Sequence, residues 1–200
     1  MVKILVTVII SYLIGSVSPS ILLGRAKGID IKKEGSGNAG TTNALRVLGA
    51  KAAVITLVVD VLKGLLPALI LPIVFGEPTL CYWASIAAFI GHLFPVYYGF
   101  KGGKGVAVAF GGLLGVNWKL AVLCLLTVAV VTLLTKRMSA GSITGAALAV
   151  VYAIFLEKAF LPFVFVMAAL IIFMHRGNIK RLMKGEEPPL GFLAGKGKGK

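Results

Sequence analysis

A polar, glycine-rich segment at 35–46, GSGNAGTTNALR, has the composition of a phosphate-binding loop. Its glycines free the backbone for close approach to a ligand, and successive exposed amides can bind an anion. These glycines are Gly35, Gly37 and Gly40. Uncharged hydrogen-bonding side chains lie between and after them, at Ser36, Asn38, Thr41 and Asn43. Arg46 adds a planar fork for phosphate oxygens. Thr41 or Thr42 is predicted to cap a helix whose N-terminus attracts phosphate.

A second glycine-rich segment at 91–107, GHLFPVYYGFKGGKGVA, combines lysines with glycines. Lys101, Gly102, Gly103 and Lys104 predict a phosphate clamp built from two ammonium groups and backbone amides at the start of a helix. The segment lacks the GxxxxGK[ST] pattern of a nucleotide triphosphate site, because Val106 follows Gly105. His92 is a candidate base, or a hydrogen-bonding residue of the structure.

Other polar residues stand inside or beside apolar runs. Asp60 and Lys63 are three apart and share a helix face, which fits a structural ion pair or a substrate contact. Ser142 is predicted to cap a helix or donate to substrate. No His, Cys, Asp or Glu cluster has ligand spacing, so neither a metal nor a cofactor is expected.

The composition assigns the chain to the membrane. Hydrophobic residues make up 58% of it and charged residues 14%, against about 25% charged in soluble proteins. The net charge of +14 favours anionic partners. Because the basic residues lie in short loops between apolar runs, membrane lipids and phosphate compounds are expected rather than nucleic acid. The first run, Ile4–Leu23, resembles a signal peptide, but the apolar runs that follow favour an uncleaved span.

The apolar runs predict an all-α integral membrane protein with about seven transmembrane helices. They lie at roughly 4–23, 52–75, 80–98, 105–116, 119–135, 142–156 and 159–175. The fourth is too short to cross the bilayer by itself, so a five-span arrangement with re-entrant segments stays open. The Lys and Arg distribution predicts the N-terminus outside and the loops 24–51 and 98–105 and the C-terminus in the cytoplasm. Residues 1–192 are expected to form one domain, and 193–200 a disordered basic tail.

Four stretches resemble the bacterial acyl-phosphate:glycerol-3-phosphate acyltransferase family, usually called PlsY. They are GSGNAGTTNALR at 35–46, VVDVLKG at 58–64, GHLFPVYYGFKGGKGVA at 91–107 and HRGNIKRLMKGEE at 175–187. The resemblance implies a seven-helix membrane fold without a metal. It also implies acyl phosphate as donor, glycerol 3-phosphate as acceptor at its sn-1 hydroxyl, and lysophosphatidic acid and phosphate as products.

The resemblance also places residues at the site. It implies catalytic roles for Ser36, Thr41, Arg46, Lys104 and Ser142. His175 and Asn178 join the substrate-binding residues mainly on this ground, beside Asn38, Asn43, His92, Lys101 and the glycines Gly35, Gly37, Gly40, Gly102 and Gly103.

The expected enzyme would act by positioning and electrostatic stabilisation, because an acyl phosphate is already activated. No Ser-His-Asp or Cys-His constellation is visible, and the HxxxxD pattern of other acyltransferases is absent, since Tyr97 stands five residues after His92. The alternative is a membrane transporter of phosphate esters or organic anions. No internal repeat supports it. The sequence leaves the oligomeric state open, and a monomer is compatible with it.

Overall fold

The computed structural model of the protein describes residues 1–190, and all regular elements among them are helical. In chain order the α-helices are α1 (Val2–Gly15), α2 (Pro19–Ala26), α3 (Thr41–Leu48), α4 (Ala50–Phe75), α5 (Leu80–Leu93), α6 (Val106–Val116), α7 (Trp118–Thr135), α8 (Met138–Leu156), α9 (Leu161–Met174) and α10 (Arg176–Met183). Short 3₁₀ helices lie at Val96–Tyr98 and Lys158–Phe160. The predicted all-α membrane fold is confirmed.

Five helical segments of the described chain are long and apolar enough to cross a membrane. They are Val2–Ala26, Ala50–Phe75, Leu80–Tyr98, Trp118–Thr135 and Met138–Leu156. A sixth is reached if Lys158–Met174 and Arg176–Met183, bent by 57°, form one span. Helix α6 has 11 residues, about 16 Å at 1.5 Å per residue, whereas the hydrocarbon core measures about 30 Å. The count of seven spans, like the orientation of the termini, therefore stays a prediction.

The chain forms two compact units, Met1–Ala121 and the part that begins at Val122. In the first unit, small residues allow helices to touch backbone to backbone. A Cβ atom at Gly15 would overlap the Ala88 carbonyl of α5, and one at Gly111 of α6 would overlap the Val61 carbonyl of α4. These contacts hold α1 against α5 and α6 against α4, and the last turn of α5 enters the second glycine-rich loop. The predicted single domain 1–192 stays a prediction, and the tail 193–200 lies outside the described residues.

The first span is broken between Gly15 and Pro19. Proline is well suited to the first position of a helix because it lacks the amide that the helix leaves unsatisfied, and α2 starts at Pro19 after an extended Ser18. The break turns the Val17 carbonyl away from the helical pattern, and the buried Lys63 ammonium of α4 donates to it at 2.6 Å.

In the second unit, α8 packs against α9 and against the C-terminal half of α7. The Thr127 and Tyr152 hydroxyls share a hydrogen bond of 2.9 Å. The chain after α10 returns to the start of α8, where the Leu190 amide donates to the Lys136 carbonyl at 2.8 Å. Residues 185–190 therefore form a strap held to the α7–α8 connection.

Candidate active site

The first glycine-rich loop is organised by one buried side chain, that of Asn43. Its Oδ1 accepts the Ser36 amide at 2.8 Å, and its Nδ2 donates to the carbonyls of Ile31 at 3.1 Å and Glu34 at 3.0 Å. Gly35 has a φ of +60° and passes so close to the Asn43 amide that a Cβ there would overlap Oδ1. Asn43 is fully buried. In this structure its side chain holds Ser36 in place, and its predicted contact with substrate stays a prediction.

Two predictions about this loop are corrected. The amides of Ser36 and Gly37 are already engaged, with Asn43 and with the Glu34 carbonyl at 3.0 Å, so they do not form an open anion nest. Neither Thr41 nor Thr42 caps the helix, because α3 begins at Thr41 with Gly40 as its N-cap. The Thr41 hydroxyl is buried without a hydrogen-bond partner among residues 1–190. A donor of that kind at a helix start is suited to an anion, since the first helical amides also lack intrahelical acceptors.

Arg46 lies on the exposed face of α3 and borders an open cleft of about 570 Å³. Gly35 and Lys33 lie on the same cleft, as do the carboxylates of Asp30 and Glu34. Ser36 and Gly37 are exposed nearby in sequence, and the Asn38 side chain lies over Gly40, 2.7 Å from where a Cβ of that glycine would be. The loop therefore presents Ser36 and Arg46 to solvent from a rigid base.

The second loop folds back on the end of α5. The amides of Gly102 and Gly103 donate to the carbonyls of Leu93 at 3.1 Å and His92 at 3.2 Å. A Cβ at Gly102 would overlap the His92 carbonyl, and one at Gly103 would overlap the His92 ring at Nε2. The two amides are thus already used, so the predicted clamp loses its backbone donors at these positions. The lysines remain, with Lys101 exposed and Lys104 half-buried just before α6.

The two loops touch each other. The Ala39 carbonyl lies 3.0 Å from the position that a Gly103 Cβ would take, and the Lys32 ammonium donates to the Tyr98 carbonyl at 3.2 Å. Burial lowers the pKa of Lys32, and the Arg25 and Lys101 charges lower it further against the opposing effect of Asp30. Such crowding of cations marks a surface that attracts anions.

Below the junction of the loops lies a buried polar group of three side chains. Lys63 and Asp60 form the ion pair that their spacing predicts, at 2.8 Å between Nζ and Oδ1. His92 joins them, with Nδ1 2.8 Å from Lys63 Nζ. All three are at most 5% exposed. Sequence reasoning found the pair but missed that His92 completes it, because 29 residues separate Lys63 from His92.

In the second unit, three predicted residues lie close to helix ends. Ser142 does not cap α8, which has Arg137 at its N-cap; its hydroxyl donates to the Met138 carbonyl at 2.9 Å. His175, at the end of α9, directs Nδ1 to the Ile171 carbonyl at 2.8 Å. Since a carbonyl only accepts, Nδ1 carries a proton, and a neutral ring then keeps Nε2 as an acceptor.

Asn178 belongs to a cluster that the sequence reasoning missed, centred on Glu187. The Glu187 carboxylate accepts from Ser139 at 2.7 Å, from Asn178 at 2.6 Å and from Arg181 at 2.7 Å. Burial by itself raises the pKa of Glu187, but these hydrogen bonds and the Arg181 charge outweigh it and hold the pKa below its ordinary value. A carboxylate in a mostly basic tail, within HRGNIKRLMKGEE, is the one signal that could have indicated it.

Thirteen of the sixteen predicted site residues lie in the first unit, and Ser142, His175 and Asn178 lie in the second. Within the first unit the structure brings the two glycine-rich loops into contact at Ala39 and Gly103. Their polar side chains surround a surface rich in cations and uncharged donors. Chemically, this surface is suited to holding phosphate groups.

Comparison with known proteins agrees with this geometry. The family model for glycerol-3-phosphate acyltransferase matches residues 5–185. Glycerol-3-phosphate acyltransferases of Thioalkalivibrio sulfidiphilus and Methylococcus capsulatus are each 45% identical over 184 residues, which is 90% of this chain and 91% and 93% of theirs.

The crystal structure of PlsY, an integral membrane glycerol 3-phosphate acyltransferase, in its glycerol 3-phosphate form superposes with a TM-score of 0.89 at 38% identity. The match covers 95% of this chain and 96% of that one. The lysophosphatidic acid form of the same protein gives a TM-score of 0.86. The chain therefore belongs to the glycerol-3-phosphate acyltransferase family.

Proposed function

We propose that the protein transfers an acyl group from acyl phosphate to the sn-1 hydroxyl of glycerol 3-phosphate, giving lysophosphatidic acid and inorganic phosphate. The observation that carries the proposal is the pair of glycine-rich loops held together at Ala39 and Gly103, in a chain that shares its fold with PlsY over 95% of its length. Both substrates carry phosphate, and the loops supply the cations Arg46 and Lys104 and the hydroxyls Ser36 and Thr41.

The reaction requires two anions to lie side by side. Arg46, with two parallel donors, suits one phosphate group, and Lys104, with a compact charge, suits another. With both phosphates neutralised, the substrate hydroxyl attacks the acyl carbon, and the bond from that carbon to the phosphate oxygen breaks. The hydroxyl proton goes to an oxygen of a substrate phosphate. Positioning and electrostatic stabilisation supply the acceleration, because the mixed anhydride is already activated.

The proposed location is the cytoplasmic face of the bacterial inner membrane. The chain is a multi-pass membrane protein, and its basic loops 24–51 and 98–105 fall on one side under the positive-inside rule. The product then forms at the membrane surface, where its acyl chain can enter the lipid.

The competing function is transport of phosphate esters or organic anions. Transporters of this kind place the substrate between helices near the middle of the membrane. The polar loops described above lie instead at helix ends, and the buried charges Asp60 and Lys63 neutralise each other at 2.8 Å. The site geometry therefore favours the enzyme.

Turnover by the purified protein tests the proposal. Protein in nanodiscs is mixed with acyl phosphate and glycerol 3-phosphate, and lysophosphatidic acid is measured by mass spectrometry. We expect product from the wild type and at least tenfold less from Lys104→Ala. In parallel, sealed proteoliposomes are tested for uptake of labelled glycerol 3-phosphate. Uptake without acylation would replace the proposed enzyme with the transporter.

A further inference from the structure

The group formed by Asp60, Lys63 and His92 has no part in the acyl transfer described above. Lys63 Nζ lies 2.6 Å from the Val17 carbonyl, 2.8 Å from His92 Nδ1 and 2.8 Å from Asp60 Oδ1. The exposures are 4% for Lys63, 2% for Asp60 and 5% for His92. Buried charges inside a membrane protein are costly, so a role beyond packing is expected of them.

The hydrogen bonds of the Lys63 ammonium determine which nitrogen of His92 carries the proton. An ammonium group has three hydrogens and no lone pair, so it donates to each neighbour and accepts from none. His92 Nδ1, at 2.8 Å, therefore faces a charged Lys63 with its lone pair and without a proton. The Asp60 carboxylate also lies 3.5 Å from Nδ1, but it accepts at the shorter distance of 2.8 Å from Lys63. The neutral ring then bears its hydrogen on Nε2. A doubly protonated ring would place an N–H and a second positive charge against the ammonium.

The Nε2–H group points towards the junction of the two loops. It lies beside Gly103, where a Cβ would overlap it, and the Ala39 carbonyl borders the same position. No hydrogen bond involves Nε2 within residues 1–190, and the His92 side chain is 5% exposed. Nε2 is not one of the fully buried polar atoms of the described chain that lack a partner, so the atom keeps some access from outside. A donor in this position gains a hydrogen bond when a ligand supplies an acceptor.

We propose that Lys63 is a positioning residue that fixes His92 as an Nε2–H donor, and that this N–H binds a phosphate oxygen of a substrate where the loops meet. The proposal rests on the proposed function. It specifies that His92 carries its proton on Nε2 and that Lys63 imposes this tautomer. Since Asp60 balances the charge of Lys63, His92 supplies a hydrogen bond to the anion without adding a net charge.

Nuclear magnetic resonance on the wild type tests the tautomer without any substitution. The chain has two histidines, so ¹⁵N-histidine labelling gives two imidazole rings, and the His92→Gln variant assigns them. We expect His92 to show a protonated Nε2 and an unprotonated Nδ1. Glycerol 3-phosphate and acyl phosphate, added separately, distinguish which substrate shifts the Nε2–H resonance. A protonated Nδ1, or no shift with either compound, would overturn the proposal.

Kinetics then tests whether Lys63 acts through His92. Lys63→Met and His92→Phe should each raise KM for the same phosphate substrate about tenfold, with a smaller change in kcat. For KM, the double variant should be no worse than either single variant, because both substitutions act on the same hydrogen bond between His92 and the phosphate. His92→Gln, which keeps an amide N–H, should recover part of the affinity. Multiplying effects in the double variant would contradict the coupling.

Ser85→Ala is the matched control. Ser85 is also buried on α5, and its hydroxyl donates to the Cys81 carbonyl at 2.7 Å. Its loss should lower thermal stability without moving KM. Failure of the proposed function is separately visible: an inactive wild type would leave the NMR assignment of His92 intact, whereas an active wild type with uncoupled variants would reject the role of Lys63 alone.

Discussion

Replacing Asn43 should disorder the first loop, because this side chain makes three hydrogen bonds to the backbone around Ser36. Each such bond contributes roughly 1 kcal/mol, so Asn43→Ala should destabilise the loop by about 3 kcal/mol. At 25 °C this corresponds to a factor of roughly 100 in the opening equilibrium. Activity should fall with it, since Ser36 and Gly35 lose their support.

Asn43→Asp should be at least as damaging as Asn43→Ala, although it keeps the shape of the side chain. The carboxylate can still accept the Ser36 amide. It places a second oxygen against the carbonyls of Ile31 and Glu34, where the native Nδ2 donates at 3.1 and 3.0 Å. A buried charge facing two acceptors is unfavourable. If Asn43 only contacted substrate, Asn43→Asp would not have to be as damaging as Asn43→Ala.

Amide hydrogen exchange measured on the first loop is the assay, together with kcat/KM. We expect the Ser36 amide to exchange roughly 100 times faster in Asn43→Ala. Asn117→Ala is the control, because Asn117 Oδ1 accepts the amides of Lys119 and Leu120 at the start of α7 at 3.1 and 3.3 Å. It should weaken α7 without changing Ser36. Native exchange at Ser36 in Asn43→Ala, or an Asp variant milder than the Ala variant, would refute the reasoning.

Four further predictions concern charge, metal and donor. Lys104→Ala and Arg46→Ala should each lower kcat/KM tenfold to a hundredfold, Arg46→Lys should rescue poorly because it loses the fork, and Lys101→Ala should matter less; steady-state kinetics checks the order. Glu187→Gln should unfold at a lower temperature than the wild type at neutral pH. Because the folded pKa of Glu187 is lowered, its contribution is present above the ordinary value of 4.5 and is lost as pH falls through the folded value; a difference that stays constant down to the acid range would contradict this. Activity should survive EDTA, since no group of three or more His, Cys, Asp or Glu in the described part of the chain could hold a metal; loss on chelation and recovery with one divalent ion would show otherwise. Acyl-CoA should give essentially no product, and comparable rates with both donors would contradict the acyl-phosphate assignment.

The helices could be predicted from the sequence because apolar runs in lipid leave the backbone no other way to satisfy its hydrogen bonds. Asp60 and Lys63 were predictable as a pair because three residues place them on one helix face. The break at Ser16–Ser18 was not predicted, because residues 4–23 were counted as one span although Ser16, Ser18 and Pro19 interrupt the apolar run. Hence the predicted span 4–23 is two helices.

The details of the site depended on contacts between distant segments. Glycine-rich loops predicted an anion site, but the sequence could not show that the Gly102 and Gly103 amides turn towards α5. Asn43 was predicted as a substrate-binding residue, and that its side chain also holds the loop backbone from a buried position could not be predicted from the sequence. Glu187 was missed for the same reason, since its partners Ser139 and Asn178 lie 48 and 9 residues away.

Tracing both halves of a doubly labelled donor tests the central claim most directly. Acyl phosphate carrying ¹⁴C in the acyl chain and ³²P in the phosphate is incubated with the purified protein and unlabelled glycerol 3-phosphate. Acyl transfer predicts that all transferred ¹⁴C appears in lysophosphatidic acid and an equimolar amount of ³²P appears as inorganic phosphate. Appearance of ³²P in the acceptor product, or release of ³²P without ¹⁴C-labelled lysophosphatidic acid, would contradict it.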